Sequence, residues 1–233
     1  MSKSNIVLFF LLFVTLGLSQ NKVNLDSILK KSEHFYKAQS HFYYKTVYKL
    51  YTTPSSNEVA EEDYGELIGH NGIIYQKMYA NENIDFEEKK MIIDNDNKIV
   101  AIQKKETNDV LFGIKNYFNQ YSKKQIIKND NYWILELYNP VDLFVKYYKV
   151  RIYFYKKDGS IYKQGLYSKG QSSVNKKGKK LIIKDPRLEI YFRKEKYTNE
   201  QAKKVDLSYY FTKNSEGKII LKNKIANYKL LQN

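Results

Sequence analysis

The sequence predicts an α+β fold: a curved antiparallel β-sheet of about ten strands, forming a half-barrel whose concave face is covered by an N-terminal helix and an inserted helix. Three observations predict it. Segments with period-two alternation follow one another along the chain, short turn signals separate them, and only two segments have helical spacing. Helices on one side of so large a sheet favour curvature, which leaves an apolar concavity suited to a ligand.

Residues 1–19 are predicted to be a signal peptide. Lys3 provides a positive charge, residues 6–18 form an apolar run too short for a comfortable bilayer span, and small residues precede the cleavage point. An uncleaved N-terminal anchor is the alternative. We therefore expect a periplasmic or secreted protein in which residues 20–233 form a single domain.

The composition excludes several classes of function. The 233 residues include 40 Lys and Arg, 25 Asp and Glu and no Cys, for a formal net charge of +15. Without cysteine there is no disulfide framework, no thiolate metal site and no cysteine nucleophile. The lysines are spread along nearly every strand, which argues against nucleic-acid binding. An anionic surface, such as lipid headgroups or an acidic glycan, is still a candidate neighbour.

The first elements of the mature chain are a helix and a long strand. Residues 25–39 place apolar side chains near a 3.6-residue period, with Asn24 or Asp26 available as N-cap. Residues 41–52 change to period two, and one face of this strand is predicted to carry Phe42, Tyr44, Thr46, Tyr48 and Leu50.

The rest of the chain is predicted to be a meander with one interruption. Turn signals stand at Asn71-Gly72, at 94–97 and at Asp158-Gly159. Residues 108–121 have helical spacing and predict the inserted helix, while 168–180 are predicted to be a loop or hairpin tip. The predicted strands cover 59–68, 73–79, 90–93, 98–104, 124–128, 132–138, 145–155, 160–167, 181–183, 188–192, 207–211 and 219–221.

Some of these segments resemble a known family. The helix and aromatic strand over 25–51, the hairpin MIIDNDNKIV over 91–100, and the later strands 132–138 and 150–165 are similar to the LolA/LolB-like half-barrels, which are outer-membrane lipoprotein carriers and receptors. Asp96-Asn97 stands where that family has Asp-Gly. The resemblance implies a helix followed by a meander around an apolar groove, and it implies carriage of a lipoprotein acyl chain.

No catalytic or metal-binding motif stands out. His34, His41 and His70 lack ligand spacing, although His34 and His41 could approach each other at the helix-strand junction. The chain lacks GxSxG and a Gly-rich phosphate loop. The acidic clusters at 58–66 and 85–88 fit solvated strand edges, and the 94–97 turn lacks the Gly and Glu of a calcium loop. We therefore expect no catalytic residues, no cofactor and no bound metal; an uncharacterised hydrolase is the least favoured hypothesis.

The aromatic and aliphatic positions of two predicted strands are the candidate binding residues. They are expected to hold an apolar ligand, a lipid or lipoprotein acyl chain, in the concave face of a monomer. The alternative is a cell-envelope structural or protein-interaction module whose concavity is filled by its own side chains. The predicted ligand contacts are Phe42, Tyr44, Tyr48, Leu50, Trp133, Leu135 and Leu137.

A lysine cluster follows the last long strands. It could steer an anionic membrane surface or an envelope protein toward the cavity, or it could only keep loops and edge strands soluble. Its members are Lys169, Lys176, Lys177, Lys179, Lys180 and Lys184.

Overall fold

A computed structural model describes residues 24–105, 120–139, 146–176 and 179–232. The predicted signal peptide lies outside these residues, so the division into a leader and one mature domain stays a prediction. The predicted helix over 108–121 also lies outside them, except for its last two positions. In the part that is described, no helix is long and apolar enough to cross a membrane.

Strands dominate the described residues. The helices are α1 (Leu25–Lys37) and α2 (Asn199–Lys204), and short 3-10 turns occur at Leu207–Tyr209 and Asn223–Ile225. The strands are β1 His41–Tyr51, β2 Val59–His70, β3 Ile73–Met78, β4 Asn81–Phe86, β5 Lys89–Asp94, β6 Ile99–Lys104, β7 Lys123–Lys128, β8 Tyr132–Tyr138, β9 Lys149–Tyr155, β10 Ile161–Tyr167, β11 Gln171–Lys176, β12 Lys179–Lys184, β13 Arg187–Lys194, β14 Phe211–Lys213, β15 Ile219–Leu221 and β16 Lys229–Gln232.

Twelve of these strands form one curved, unclosed sheet. Their order is β16-β6-β5-β4-β3-β2-β1-β13-β10-β9-β8-β7, and the neighbours are antiparallel except β16 and β6, which run parallel. The pairs β11-β12 and β14-β15 form two separate hairpins. The predicted α+β half-barrel is therefore confirmed, with more strands than the ten expected.

Local chemistry accounts for the elements that the sequence predicted well. The Asn24 side chain accepts a hydrogen bond from the Ser27 amide at 2.8 Å and caps α1. Asn71 and Gly72 have φ of 47° and 82°, the two left-handed residues that a tight β2-β3 turn needs. The turn after β5 is held by Asp94, whose carboxylate accepts hydrogen bonds from the backbone amides of Asp96 and Asn97.

Other elements differ from the prediction. The segment 81–86 forms β4, although Glu82 on its buried face hides the apolar alternation of Ile84 and Phe86 in the sequence. Residues 207–209 form a 3-10 turn instead of a strand, because Asp206 caps them through the Ser208 amide at 2.9 Å. Of the two predictions for 168–180, a loop or a hairpin tip, the structure favours the hairpin: most of the segment belongs to the β11-β12 pair.

The largest departure from the prediction is a second core. We call the sheet side that packs on α1 the helix face; the other side is the opposite face. On the helix face a buried row crosses from β1 through β13, β10 and β9 to β8, and its members are Tyr48, Ile190, Gln164, Ile152 and Leu135. The opposite face carries a second buried row, which crosses from β1 to β6. Its members are Tyr43, Ile68, Tyr75, Ile84, Met91 and Ile102.

The C-terminal segment, residues 196–232, covers this second core. Val205, Tyr210 and Ile225 are buried against the β3-β6 half of the sheet. The expectation that helices cover only one side is therefore wrong, because α2 and the residues after it pack on the opposite face. Their apolar side chains are too widely spaced in the sequence to predict a cover.

A buried carboxylate fastens the C-terminal segment to the sheet. Glu82 is 3% exposed and receives hydrogen bonds from the ammonium of Lys224 at 2.6 Å, the amide of Asn95 at 3.0 Å and the hydroxyl of Tyr75 at 3.1 Å. Burial alone would raise the pKa of Glu82. The hydrogen bonds and the charge of Lys224 outweigh it and hold that pKa below its usual value.

Candidate functional site

The structure brings most of the predicted binding residues into one cluster on the helix face. Phe42, Tyr44, Tyr48, Leu135 and Leu137 are buried together there, and most of the other residues of the cluster come from α1, β2, β9, β10 and β13. The predicted contact Trp133 is half-buried and packs against the same cluster. Their role as ligand contacts stays a prediction.

Leu50 lies apart from that cluster. It is two residues beyond Tyr48 on β1, about 7 Å along an extended strand, and it packs with Ala60, Val174 and Ile183 beside the β11-β12 hairpin. A shift of register between Leu50 and Tyr51 accompanies this change of neighbours. Alternation alone could not show it, because the strand keeps its period up to this point.

Helix α1 closes one side of the cluster. Its apolar stripe buries Ile28, Leu29 and Tyr36 against the sheet. The Tyr36 hydroxyl accepts a hydrogen bond from the Ile161 amide at 3.1 Å, and its ring lies edge-on to Phe42 with centroids 5.4 Å apart. Tyr36 therefore fixes the end of α1 over β1 and β10.

A cleft opens where α1 ends, beside the exposed tip of the β2-β3 hairpin. Its volume is about 600 Å³, within the range of about 300 to 1,000 Å³ found for small-molecule sites. Phe42 and Tyr36 form a wall that continues into the buried cluster. The lining residues are Tyr36, Lys37, Gln39, Phe42, Gly69, His70, Asn71, Gly72, Ile73, Ile74, Phe86, Glu87, Lys105 and Leu207.

The missing side chain of Gly69 shapes the cleft. Gly69 is the cross-strand partner of Phe42, and a Cβ placed on it would lie 2.3 Å from that ring. The Phe42 ring therefore lies directly on the β2 backbone, which keeps it out of the space above. Of the predicted residues, Phe42 is the one that lines this cleft.

Sequence reasoning missed most of the other lining residues. Ile73 and Ile74 follow the Asn-Gly turn, so the sequence places them at the hairpin tip. It does not show that a cleft lies there. Tyr36 was correctly predicted to lie on the apolar face of α1. Its position in the last turn of the helix, beside the cleft, was not predicted to matter. Leu207 comes from the C-terminal segment, and no local pattern predicts that contact.

The cleft has an apolar interior and a charged rim. Burial is the main reason that the pKa of Tyr44 is raised to about 12, and burial also raises the pKa of Tyr36. Both phenols therefore stay neutral at physiological pH. At the rim, Lys37 pairs with Glu33 at 2.6 Å and Lys105 pairs with Asp85 at 3.6 Å.

Two histidines meet near the rim, in a pairing that the sequence did not predict. His41 and His70 are cross-strand partners, and each ring lies on Tyr197, with centroids 4.6 Å and 5.7 Å away. The sequence had only allowed an approach between His34 and His41. Within the described residues there is no group of three or more His, Asp or Glu side chains that could hold a metal ion.

The acidic residues of β2 are only partly a solvated edge. Glu62 is exposed and accepts a hydrogen bond from Tyr64 at 2.6 Å. Glu66 is half-buried and binds the Tyr43 hydroxyl at 3.1 Å and the Lys204 ammonium at 2.5 Å, which ties α2 to the sheet. These carboxylates serve folding and lie on strand positions that do not converge on the cleft.

Comparison with known proteins gives structural neighbours only. No family model matches the chain, and no curated protein matches it. Similar solved structures include an uncharacterised conserved protein from Thermus thermophilus, with a TM-score of 0.46 and 12% identity over 89% of this chain and 98% of that one.

Proteins of the kind that the sequence resembles are also among these structures. A LolA superfamily protein from Nitrosomonas europaea matches with a TM-score of 0.31 and 14% identity over 76% of this chain and 96% of that one. A putative outer membrane lipoprotein-sorting protein domain from Vibrio parahaemolyticus matches with a TM-score of 0.29 and 11% identity, over 78% and 99%. Similarity at this level gives no information on ligand or partner.

Proposed function

We propose that this chain is an exported, non-enzymatic binding protein of the cell envelope that holds the acyl chain of a lipid or lipoprotein. The observation that carries the proposal is the cleft of about 600 Å³ at the end of α1, whose wall of Tyr36 and Phe42 is continuous with the buried cluster of the helix face. The leader predicted over 1–19 supports export to the periplasm or beyond.

The chemistry of the cleft suits an amphiphile. Ile73, Ile74 and Phe86 offer apolar surface, and each ligand methylene that they remove from water contributes about 0.8 kcal/mol. Lys37 and Lys105 lie at the rim, where an acidic or ester headgroup would meet them. Because the phenol of Tyr36 in the wall stays neutral, that wall presents no charge that an alkyl chain would have to cover.

The test is displacement of a fluorescent fatty acid by palmitate, measured on the mature chain and two variants. Ile73→Trp fills the cleft from a half-buried wall position. Keeping three methylenes out of the cleft would cost about 2.4 kcal/mol, so we expect the affinity to fall about fiftyfold.

Ile182→Trp is the matched control. Ile182 is 63% exposed on the β11-β12 hairpin, away from the cleft residues, so this variant should bind as the parent chain does. Equal affinity in the parent chain and Ile73→Trp would contradict the cleft as the site. No fatty-acid binding by the parent chain would contradict the proposed function and favour a protein-interaction module with a self-filled interior.

A further inference from the structure

The half of the opposite face that lies away from the C-terminal segment carries alternating tyrosines and cations. One row crosses five neighbouring strands by direct pairing, from β8 through β9, β10 and β13 to β1, and its members are Tyr138, Lys149, Tyr167, Arg187 and Tyr51. The Lys149 ammonium and the Arg187 guanidinium each lie 4.1 Å from a ring centroid, over Tyr167 and Tyr51 respectively. Such contacts are cation-π interactions.

A second row repeats this arrangement further along the strands. The Lys163 ammonium lies between Tyr153 and Tyr191, at 4.7 Å and 5.2 Å from their centroids. Beyond it Tyr132 stacks on Tyr162 at 5.0 Å. We call the two rows with Tyr132 and Tyr162 the tyrosine surface. Tyr51 and Tyr167 are buried, and the other rings of the surface are partly exposed.

The tyrosine surface has more cations than carboxylates. Glu136 pairs with Arg151 at 2.5 Å, and Glu189 pairs with Lys163 at 3.1 Å and with Arg187 at 3.3 Å. Lys149 forms no salt bridge within the described residues. Its pKa is lowered by burial and by the neighbouring charge of Arg151, and the carboxylate of Glu136 offsets this only in part. An anion from outside would relieve that repulsion.

We propose that the tyrosine surface binds an acidic polysaccharide, a polymer of sugar carboxylates. The cations and the tyrosine hydroxyls are donors for the carboxylate and hydroxyl groups of such a chain. The partly exposed Tyr153 and Tyr191 stand two strands apart, about 9.5 Å, a distance comparable to a disaccharide repeat. Lys149, which forms no salt bridge within the described residues, supplies the electrostatic complementarity.

The geometry of the rings favours this ligand over single-stranded nucleic acid. Bases bind by stacking on open aromatic faces. Here Tyr132 and Tyr153 pack edge to face at 82°, as do Tyr162 and Tyr191 at 79°, and cations cover other ring faces. Little ring face is left for bases, whereas hydroxyl and ammonium groups do not need an open face.

Binding of the mature chain to immobilised polygalacturonate tests the proposal, with dextran as the neutral polymer and a thymidine oligonucleotide as the nucleic acid. We expect binding to polygalacturonate that weakens with added salt, and none to dextran. Lys149→Gln should weaken it about tenfold, the effect of losing one charge-assisted hydrogen bond. Lys149→Arg should retain it.

Lys203→Gln is the matched control, because it removes the same charge from an exposed position on α2. It should leave the affinity unchanged, and an equal loss in both variants would overturn the proposal, since net charge alone would then explain binding. Tyr132→Ala should weaken binding without changing the net charge. No binding to polygalacturonate, or tighter binding to the oligonucleotide, would also overturn it. Because the cleft lies at the β2-β3 hairpin tip and shares no residue with the tyrosine surface, the two proposals fail separately.

Discussion

The two halves of the sheet bury different faces. In the half built from β8, β9, β10 and β13, the helix face is buried under α1, whereas in the half built from β3 to β6 the opposite face is buried under the C-terminal segment. Strands β1 and β2 lie between the halves and carry buried residues on both sides. The alternation of apolar and polar residues in a strand shows that one face of the sheet is buried. Which face it is depends on the segment that packs on the strand.

The faces left uncovered also differ. In the β4-β6 half the uncovered side chains are mostly polar, Asn83, Asp85, Lys90 and Gln103 among them, with Ile92 and Ile99 partly exposed beside them. In the other half the corresponding positions form the tyrosine surface. Solubility alone does not require aromatic rings with cations over their faces, so a ligand is proposed for this uncovered face and none for the other.

The largest expected effects come from truncating the centre of each core. Phe154 and Ile84 are both fully buried, on the helix face and the opposite face respectively. We expect Phe154→Ala to cost about 4 kcal/mol and Ile84→Ala about 3 kcal/mol of unfolding free energy, measured by urea denaturation. One cooperative transition should persist in both variants. Two separated transitions would show that the two halves of the sheet unfold independently, which would contradict a single cooperative domain.

Removal of the Lys224 ammonium should have the next largest effect on the free energy of unfolding. The contact that it breaks lies in the β3-β6 half of the sheet. Lys224→Met leaves the buried Glu82 carboxylate without its cation. Because Lys224 is itself partly exposed, we expect a loss of about 2 kcal/mol, less than for a fully buried pair. The exposed Lys218 pairs only with the exposed Glu216, so Lys218→Met should change stability little.

The effect of Lys224→Met should depend on pH. The folded-state pKa of Glu82 is lowered, so its contribution is present above the unfolded value of about 4.3 and is lost as the pH falls through the folded value. The stability difference between parent and variant should therefore shrink in acid. A difference that stayed constant from neutral to acid pH would contradict the assigned role of Glu82.

Substitution of Gly69 should affect both stability and the cleft. A Cβ at Gly69 would lie 2.3 Å from the Phe42 ring, so Gly69→Ala should push that ring toward the cleft and cost about 2 kcal/mol. Gly217→Ala, in the turn between β14 and β15 and away from the cleft, has open space but a φ of 78°, and should cost about 1 kcal/mol through backbone strain alone. Fatty-acid affinity should fall only for Gly69→Ala. An equal fall in both variants would contradict the role of Phe42 as a wall of the binding site.

The smallest effects should come from the two helix caps, and they should be local. Asn24→Ala uncaps α1, and Thr198→Ala uncaps α2 and removes its capping box with Gln201. Each should cost about 1 kcal/mol. Amide exchange should quicken mainly in the helix concerned. Equal quickening in both helices after either change would show that the two covers are coupled.

Alternation and turn chemistry were enough to predict much of the fold. The Asn71-Gly72 turn, the strand at 132–138 and the capped first helix follow from local physics and agree with the structure. The second core could not be predicted, because Tyr43 and Ile68 form a row only after strand pairing is known. Residues 81–86 were missed because the buried Glu82 looks like a solvated position until its partner Lys224, far along the chain, is in place.

The candidate site was predictable only in part. The period-two pattern correctly placed Phe42, Tyr44 and Tyr48 on one face of β1. Leu135 of β8 lies in the same buried cluster. The sequence could not show that Phe42 borders open space while the others are packed, since burial within a core and contact with a ligand use the same residue types. The cleft depends on Gly69 and on Leu207, whose contacts are set by tertiary structure.

The most direct test of the central claim is photo-crosslinking of the mature chain with a fatty acid that carries a diazirine near its methyl end, followed by peptide mass spectrometry. The account predicts adducts on the wall of the cleft, at Tyr36, Phe42, Ile73 and Ile74, and their loss when unlabelled palmitate is in excess. Adducts confined to other surfaces, or adducts that palmitate does not displace, would contradict it.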